Sequence, residues 1–115
     1  MASQNHQDRR RSERFQTLNL LSFHETDSQG QTLSQGIAKT LDLSETGALI
    51  QIPHQVIHPE NFHIEIALEE EIIKVNVDVV DQVQKETGEW QLRVKFLNLK
   101  PVIRHRLTSF IRSLQ

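Results

Sequence analysis

Phe62, Ile64, Ile66 and Leu68 stand at every second position, with His63, Glu65 and Ala67 between them, as a strand with one buried face requires. Trp90, Leu92, Val94 and Phe96 repeat the pattern more cleanly. Between these two stretches Ile73, Val75, Val77 and Val79 alternate with Lys74, Asn76 and Asp78 until Val80 breaks the phase, so a bulge or strong bend is expected at Val79-Val80. Glu69 to Glu71 and Lys85 to Gly88 read as the intervening turns.

Upstream the pattern is weaker. Phe15 to His24, with Leu18, Leu20 and Leu21, predicts an irregular first strand, and Glu25 to Ser34 predicts a loop. Gly36 to Leu43 is expected to be a strand with Ile37, Leu41 and Leu43 on one face, joined through a polar turn to a strand over Ala48 to Ile52. Pro53 and Pro59 bracket a loop that neither a helix nor a central strand would tolerate. Downstream, Pro101 suits the first turn of a helix, and Ile103, Leu107, Phe110, Ile111 and Leu114 fall at spacings of three and four. Six short strands in meander-like hairpins, closed by one amphipathic helix over about 101–114, argue for an all-β antiparallel barrel or sandwich.

At 115 residues the chain has room for one core, and its longest apolar runs are three residues, so no stretch spans a membrane as a helix. Residues 1 to 13 are polar and aperiodic, the composition of a mobile arm that orders on binding, while residues 14 to 115 form the single domain. The arm has no apolar stretch of the kind a secretory signal needs, and cysteine is absent; a cytoplasmic location is expected. Net charge is -2, with four Arg in the first fourteen residues, an acidic centre from Glu60 to Glu89 and only basic charges after Glu89. That distribution makes a bulk polyanion such as nucleic acid a poor partner and leaves room for a local anion site. Five Phe, one Trp and no Tyr leave few platforms for stacking a single strand.

Two stretches carry the candidate chemistry. Asp42, Ser44 and Gly47 place an acceptor, a hydroxyl and a position of close backbone approach in one polar turn. Arg10 and Arg14, four residues apart, offer guanidiniums that fork onto phosphate and stack on flat rings. Alone, the first is an ordinary hydrogen-bonded turn and the second a solvated tail. In order, however, Arg10-x-x-x-Arg14 with Arg9 ahead of it, and Asp42-x-Ser44-x-x-Gly47 about 28 residues later, resemble the signature of the PilZ domain family. A first strand after the arginines, a last strand of the Arg93-Val94-Lys95-Phe96 kind and a basic C-terminal helix extend the similarity over residues 9 to 115.

The resemblance implies a six-stranded antiparallel barrel that binds the second messenger cyclic di-GMP, with the arginine motif in an N-terminal loop that folds over the ligand and the second motif on the barrel rim. It assigns ligand contacts to Arg10, Arg14, Asp42, Ser44 and Gly47, and Arg9 resembles the pattern associated with an intercalated dimer of the nucleotide. Arg11 falls at a variable position. Guanine presents O6 and N7 to an Arg fork and its N1-H and N2-H donors to a carboxylate such as Asp42, so the residue types suit the ligand. A downstream protein partner is implied, and a PilZ-like interaction module that no longer uses the nucleotide is the alternative. Neither cofactor nor catalysis is expected: Ser44 has no activating His nearby in sequence, and the prolines beside His54 and His58 oppose a shared helical face for a metal. His63 reads as the solvent side of its strand and Trp90 as core or rim packing.

Overall fold

The computed structural model describes residues 21–68 and 71–113. Among the described residues seven strands, β1 (Leu21–Thr26), β2 (Thr32–Ile37), β3 (Lys39–Leu43), β4 (Gly47–Ile52), β5 (Phe62–Leu68), β6 (Glu71–Gln84) and β7 (Trp90–Phe96), precede one helix, α1 (Pro101–Ser113). A single 3-10 turn, Pro59–Asn61, leads into β5. The strands form one antiparallel curled sheet, a half-barrel, in the order β2-β1-β5-β6-β7-β4-β3.

Among the described residues the count is seven strands rather than six because β2 takes in the end of the expected loop and the start of the expected Gly36–Leu43 strand, whose remainder is β3. β2 and β3 are separated only by Ala38, which is fully buried and donates its N–H to Leu21 O at 2.9 Å. The two edge strands of the sheet are therefore neighbours in the chain, and the backbone itself links one edge to the other. Two expectations fail here. The loop assigned to 25–34 shrinks to a turn around Asp27, whose carboxylate accepts from Gln29 N and Gln31 N at 2.8 and 2.9 Å, and β2 already begins at Thr32. Edge strands pair on one side and need few apolar side chains, which is why Thr-Leu-Ser-Gln did not read as a strand. The face of the next segment is also reversed: Ile37 is 71% exposed and Leu41 37%, while Ala38 and Thr40 point inward. A bulge at Leu41, which falls between the pairs Thr40–Ile50 and Asp42–Leu49, shifts the phase.

In β5, β6 and β7 alternation and burial agree, whereas Phe15 to Leu20 of the expected first strand, and Leu114 of the expected helix, lie outside the described residues. Phe62, Ile64, Ile66 and Leu68 on β5 and Leu92, Val94 and Phe96 on β7 are buried and face Val75 and Val77 of β6, Ile50 and Ile52 of β4, and Leu21 and Phe23 of β1 across one core. β6 pairs with β5 through Asn76 and with β7 from Val77 onward, and its register slips between Val79 and Asp81, where the phase break placed a bulge. Lys85 to Gly88 turns the chain into β7, with Gly88 in the left-handed region at φ 94°. Helix α1 starts at Pro101, buries Leu107 fully and rests Ile103, Phe110 and Ile111 against the core. Glu25 is a charged residue on a core position, 2% exposed. Its Oε2 accepts from the backbone N–H of Ile57 and His58 at 3.0 and 2.8 Å, which ties the proline-bracketed loop to β1.

Candidate functional site

The turn between β3 and β4 is built around the Ser44 side chain. Ser44 Oγ lies 3.2 Å from the backbone N of both Thr46 and Gly47, from which it accepts, and 3.2 Å from Thr46 Oγ1 and Gly47 O. The backbone closes the same turn, Ser44 N donating to Gly47 O at 2.9 Å. A second tie runs outward, since Phe96 N donates to Thr46 O at 2.9 Å and so fastens the turn to the end of β7. Glu45 and Thr46 are left exposed at the tip.

Gly47 is a position of close backbone approach, and the backbone that approaches it is that of β7. It stands in register with Lys95, and a Cβ built on it would lie well inside van der Waals contact of Val94 O and 3.2 Å from Lys95 Cα. Close approach of β4 to β7, rather than a left-handed backbone, is what demands glycine there. The consequence is local: β7 is drawn directly beneath the turn.

Asp42, Ser44, Thr46 and Gly47 line one wall of a shallow groove of about 260 Å³, and Leu49, Val80, Arg93 and Lys95 line the rest. Asp42 pairs with Leu49, Leu49 with Arg93 and Arg93 with Asp81, so one cross-strand row runs through the groove. A second row places Gly47 beside Lys95 and Lys95 beside Asp78. Arg93 and Lys95 are exposed on the outer side of β7, on either side of buried Val94. The β6 bulge turns Val80 outward, 55% exposed, and gives the groove an apolar patch. The lining combines one carboxylate, one hydroxyl already committed to backbone, two cations that each have an aspartate across the β6–β7 pairing, and a small apolar surface. It suits a ligand with both anionic and flat parts.

Of the residues singled out from the sequence, Asp42, Ser44 and Gly47 come together in this groove. Arg9, Arg10 and Arg14 lie outside the described residues. The contribution of Arg93, Lys95 and Val80 escaped sequence reading; the signal for it was the outward phase of Arg93 and Lys95, but which strand they lie beside is not a local property. Trp90 is half-buried against the core, as its rim position implied. His63 lies on the outer face of β5, as its place between apolar residues implied, and is half-buried there, its Nε2 3.1 Å from His24 Nδ1. Burial first, then the Lys74 and His24 charges, lower its pKa from the ordinary value, with Glu65 opposing.

Comparison with known proteins agrees with this architecture. The solved structure of YcgR from Escherichia coli in complex with c-di-GMP superposes with a TM-score of 0.59 at 17% identity, over 82% of this chain and 40% of that one. The K. pneumonia MrkH–c-di-GMP complex gives 0.61 at 12% identity, over 83% and 45%. The chain thus spans less than half the length of either protein, and at these identities the likeness is one of fold. No curated protein matches by sequence. The PilZ domain family model, however, matches residues 8–113, nearly the whole chain, and the chain belongs to the PilZ domain family.

Proposed function

We propose that this chain is a non-enzymatic receptor for cyclic di-GMP. The observation that carries the proposal is the groove in which Asp42 and the Ser44 turn face Arg93 and Lys95 across the β4–β7 pairing. One guanine presents its N1-H and N2-H edge to Asp42, and the cations of β7 meet phosphate or the O6/N7 edge. Enclosed small-molecule sites measure about 300 Å³ or more. At about 260 Å³, open and shallow, this groove holds only part of a two-base, two-phosphate ring. A second set of contacts must cover the remainder, and Arg10 and Arg14 have the fork geometry for it. Arg9 would add a contact if the nucleotide binds as an intercalated dimer.

Because guanidiniums and a carboxylate gain most of their contacts only with the ligand present, the arm orders when the ligand binds, and the surface it then forms is what a protein partner reads. Among the described residues no helix is long and apolar enough to cross a membrane. The absence of cysteine suits a receptor in the reducing cytoplasm, where we place it.

Titration calorimetry on the whole chain tests the proposal. Heat of binding at micromolar ligand is expected, together with loss of binding in Arg10→Ala and Arg14→Ala, a mild effect of Arg11→Ala and weakening with added salt. Loss of one charge-assisted contact in Arg93→Ala should weaken binding by about tenfold. No heat in the wild-type chain, or equal losses at Arg10, Arg11 and Arg14, would refute it.

A further inference from the structure

Away from the groove, on the outer side of the other half of the sheet, His24 of β1 and His63 of β5 are direct cross-strand partners. Their rings meet edge to face, centroids 4.8 Å apart at 72°, and His24 Nδ1 lies 3.1 Å from His63 Nε2. The other nitrogen of His24, Nε2, is 2.9 Å from Thr32 Oγ1 on β2. Three strands thus contribute to one polar cluster that the cyclic di-GMP proposal does not use.

We propose that the His24–His63 pair is a binding site for a divalent transition-metal ion of the imidazole-preferring class, Cu(II) before Zn(II). Two ring nitrogens 3.1 Å apart, each at a metal–nitrogen distance of about 2.0–2.1 Å, subtend about 98° at a shared ion, between the square-planar and tetrahedral angles. Thr32 supplies the support that ligating histidines ordinarily have. With Nε2–H donated to Thr32 Oγ1, His24 keeps the lone pair of Nδ1 free to coordinate. His63 Nε2–H then donates to that lone pair in the metal-free protein. On metal binding His63 passes to the Nδ1–H tautomer, both rings stay neutral, and the ion takes the place of the shared proton.

The surrounding charges nearly balance. Lys74 lies across from Glu65 in the register, Glu65 being two residues along β5 from His63, and Asn76 faces His63 itself. Among the described residues no group of three or more His, Cys, Asp or Glu gathers into a metal cage, so water completes the coordination. Two protein ligands give a micromolar site, far weaker than a four-ligand structural zinc site. By the usual affinity order Cu(II) binds more tightly than Zn(II).

The test is titration of the whole chain with CuCl2 and, separately, ZnCl2, read by calorimetry, with electron paramagnetic resonance on the copper form. One equivalent of Cu(II), spectral coupling to two imidazole nitrogens and tighter binding of Cu(II) than Zn(II) are expected. His24→Gln and His63→Gln should each weaken uptake by tenfold or more, and the double variant little beyond either single one. The chain has six histidines, so the His54→Gln/His58→Gln variant serves as the control and should bind as wild type does. Thr32→Val, which keeps both ligands but removes the support of His24, should cost a few-fold. The proposal is overturned if His63→Gln binds copper as tightly as wild type, if the spectrum reports a single nitrogen, or if no uptake occurs at about 100 µM metal.

Discussion

Replacing Gly47 by alanine separates the packing of the site from its chemistry. The added methyl is forced into Val94 O and against Lys95 Cα, both backbone atoms of a strand held on its other side by β6, so no side-chain rotation relieves the overlap. Overfilling a packed site of this kind costs about 1–3 kcal/mol. Displacing β4 from β7 also loosens the Phe96 N–Thr46 O bond and the Gly47–Lys95 pairing, each worth about 1 kcal/mol. The total is about 3–5 kcal/mol, a large part of the stability of a domain this size. Urea denaturation followed by circular dichroism measures it as a lower midpoint at unchanged slope. Ser44→Ala is the companion variant: it deletes the hydroxyl that accepts from Thr46 and Gly47 N–H but adds no atom, and should cost about 1 kcal/mol. A Gly47→Ala protein as stable as wild type would refute the claim that β7 dictates this glycine. The residue would then have to be explained by the ligand alone.

Three further outcomes follow from the interior and from β5. Thr40 is 1% exposed and its hydroxyl has no hydrogen-bond partner among the described residues, so Thr40→Val should raise stability by about 1 kcal/mol in the same urea assay. Glu25→Ala strands the N–H groups of Ile57 and His58 and should cost about 2–3 kcal/mol, with faster hydrogen exchange confined first to residues 53–58. The lowered His63 pKa means that below the ordinary value of 6.5 the unfolded chain takes up protons the folded chain refuses. Stability from this group is therefore complete above pH 6.5, falls as the pH drops toward the depressed folded value and levels off beneath it; His63→Gln should flatten that part of the pH profile.

Where side-chain alternation was regular, the sequence was a sufficient guide to structure. β5, β7 and the bulge of β6 were all legible, because Val79-Val80 can satisfy a two-residue period only by kinking the strand. Between residues 32 and 43 it misled, since the larger apolar side chains Ile37 and Leu41 face outward while Ala38 and Thr40 fill the tight interior where the chain passes from one sheet edge to the other. The Asp42–Gly47 turn was visible as a motif, yet the reason for its glycine was not: the contact is with β7, two intervening strands away in sequence. Arg93 and Lys95 were hidden for the same reason. Their exposure follows from local phase, but their place beside Asp42 and Ser44 depends on the β4–β7 pairing, which no local pattern encodes.

The fourteen-residue β6 gives its first half to β5 and its second half to β7. A strand shared in this way acts as a common spine, and neither flank can melt while the other stays intact. Heat or denaturant should therefore dissolve the whole sheet in one cooperative step, with the histidine cluster on one flank and the Asp42 groove on the other lost together.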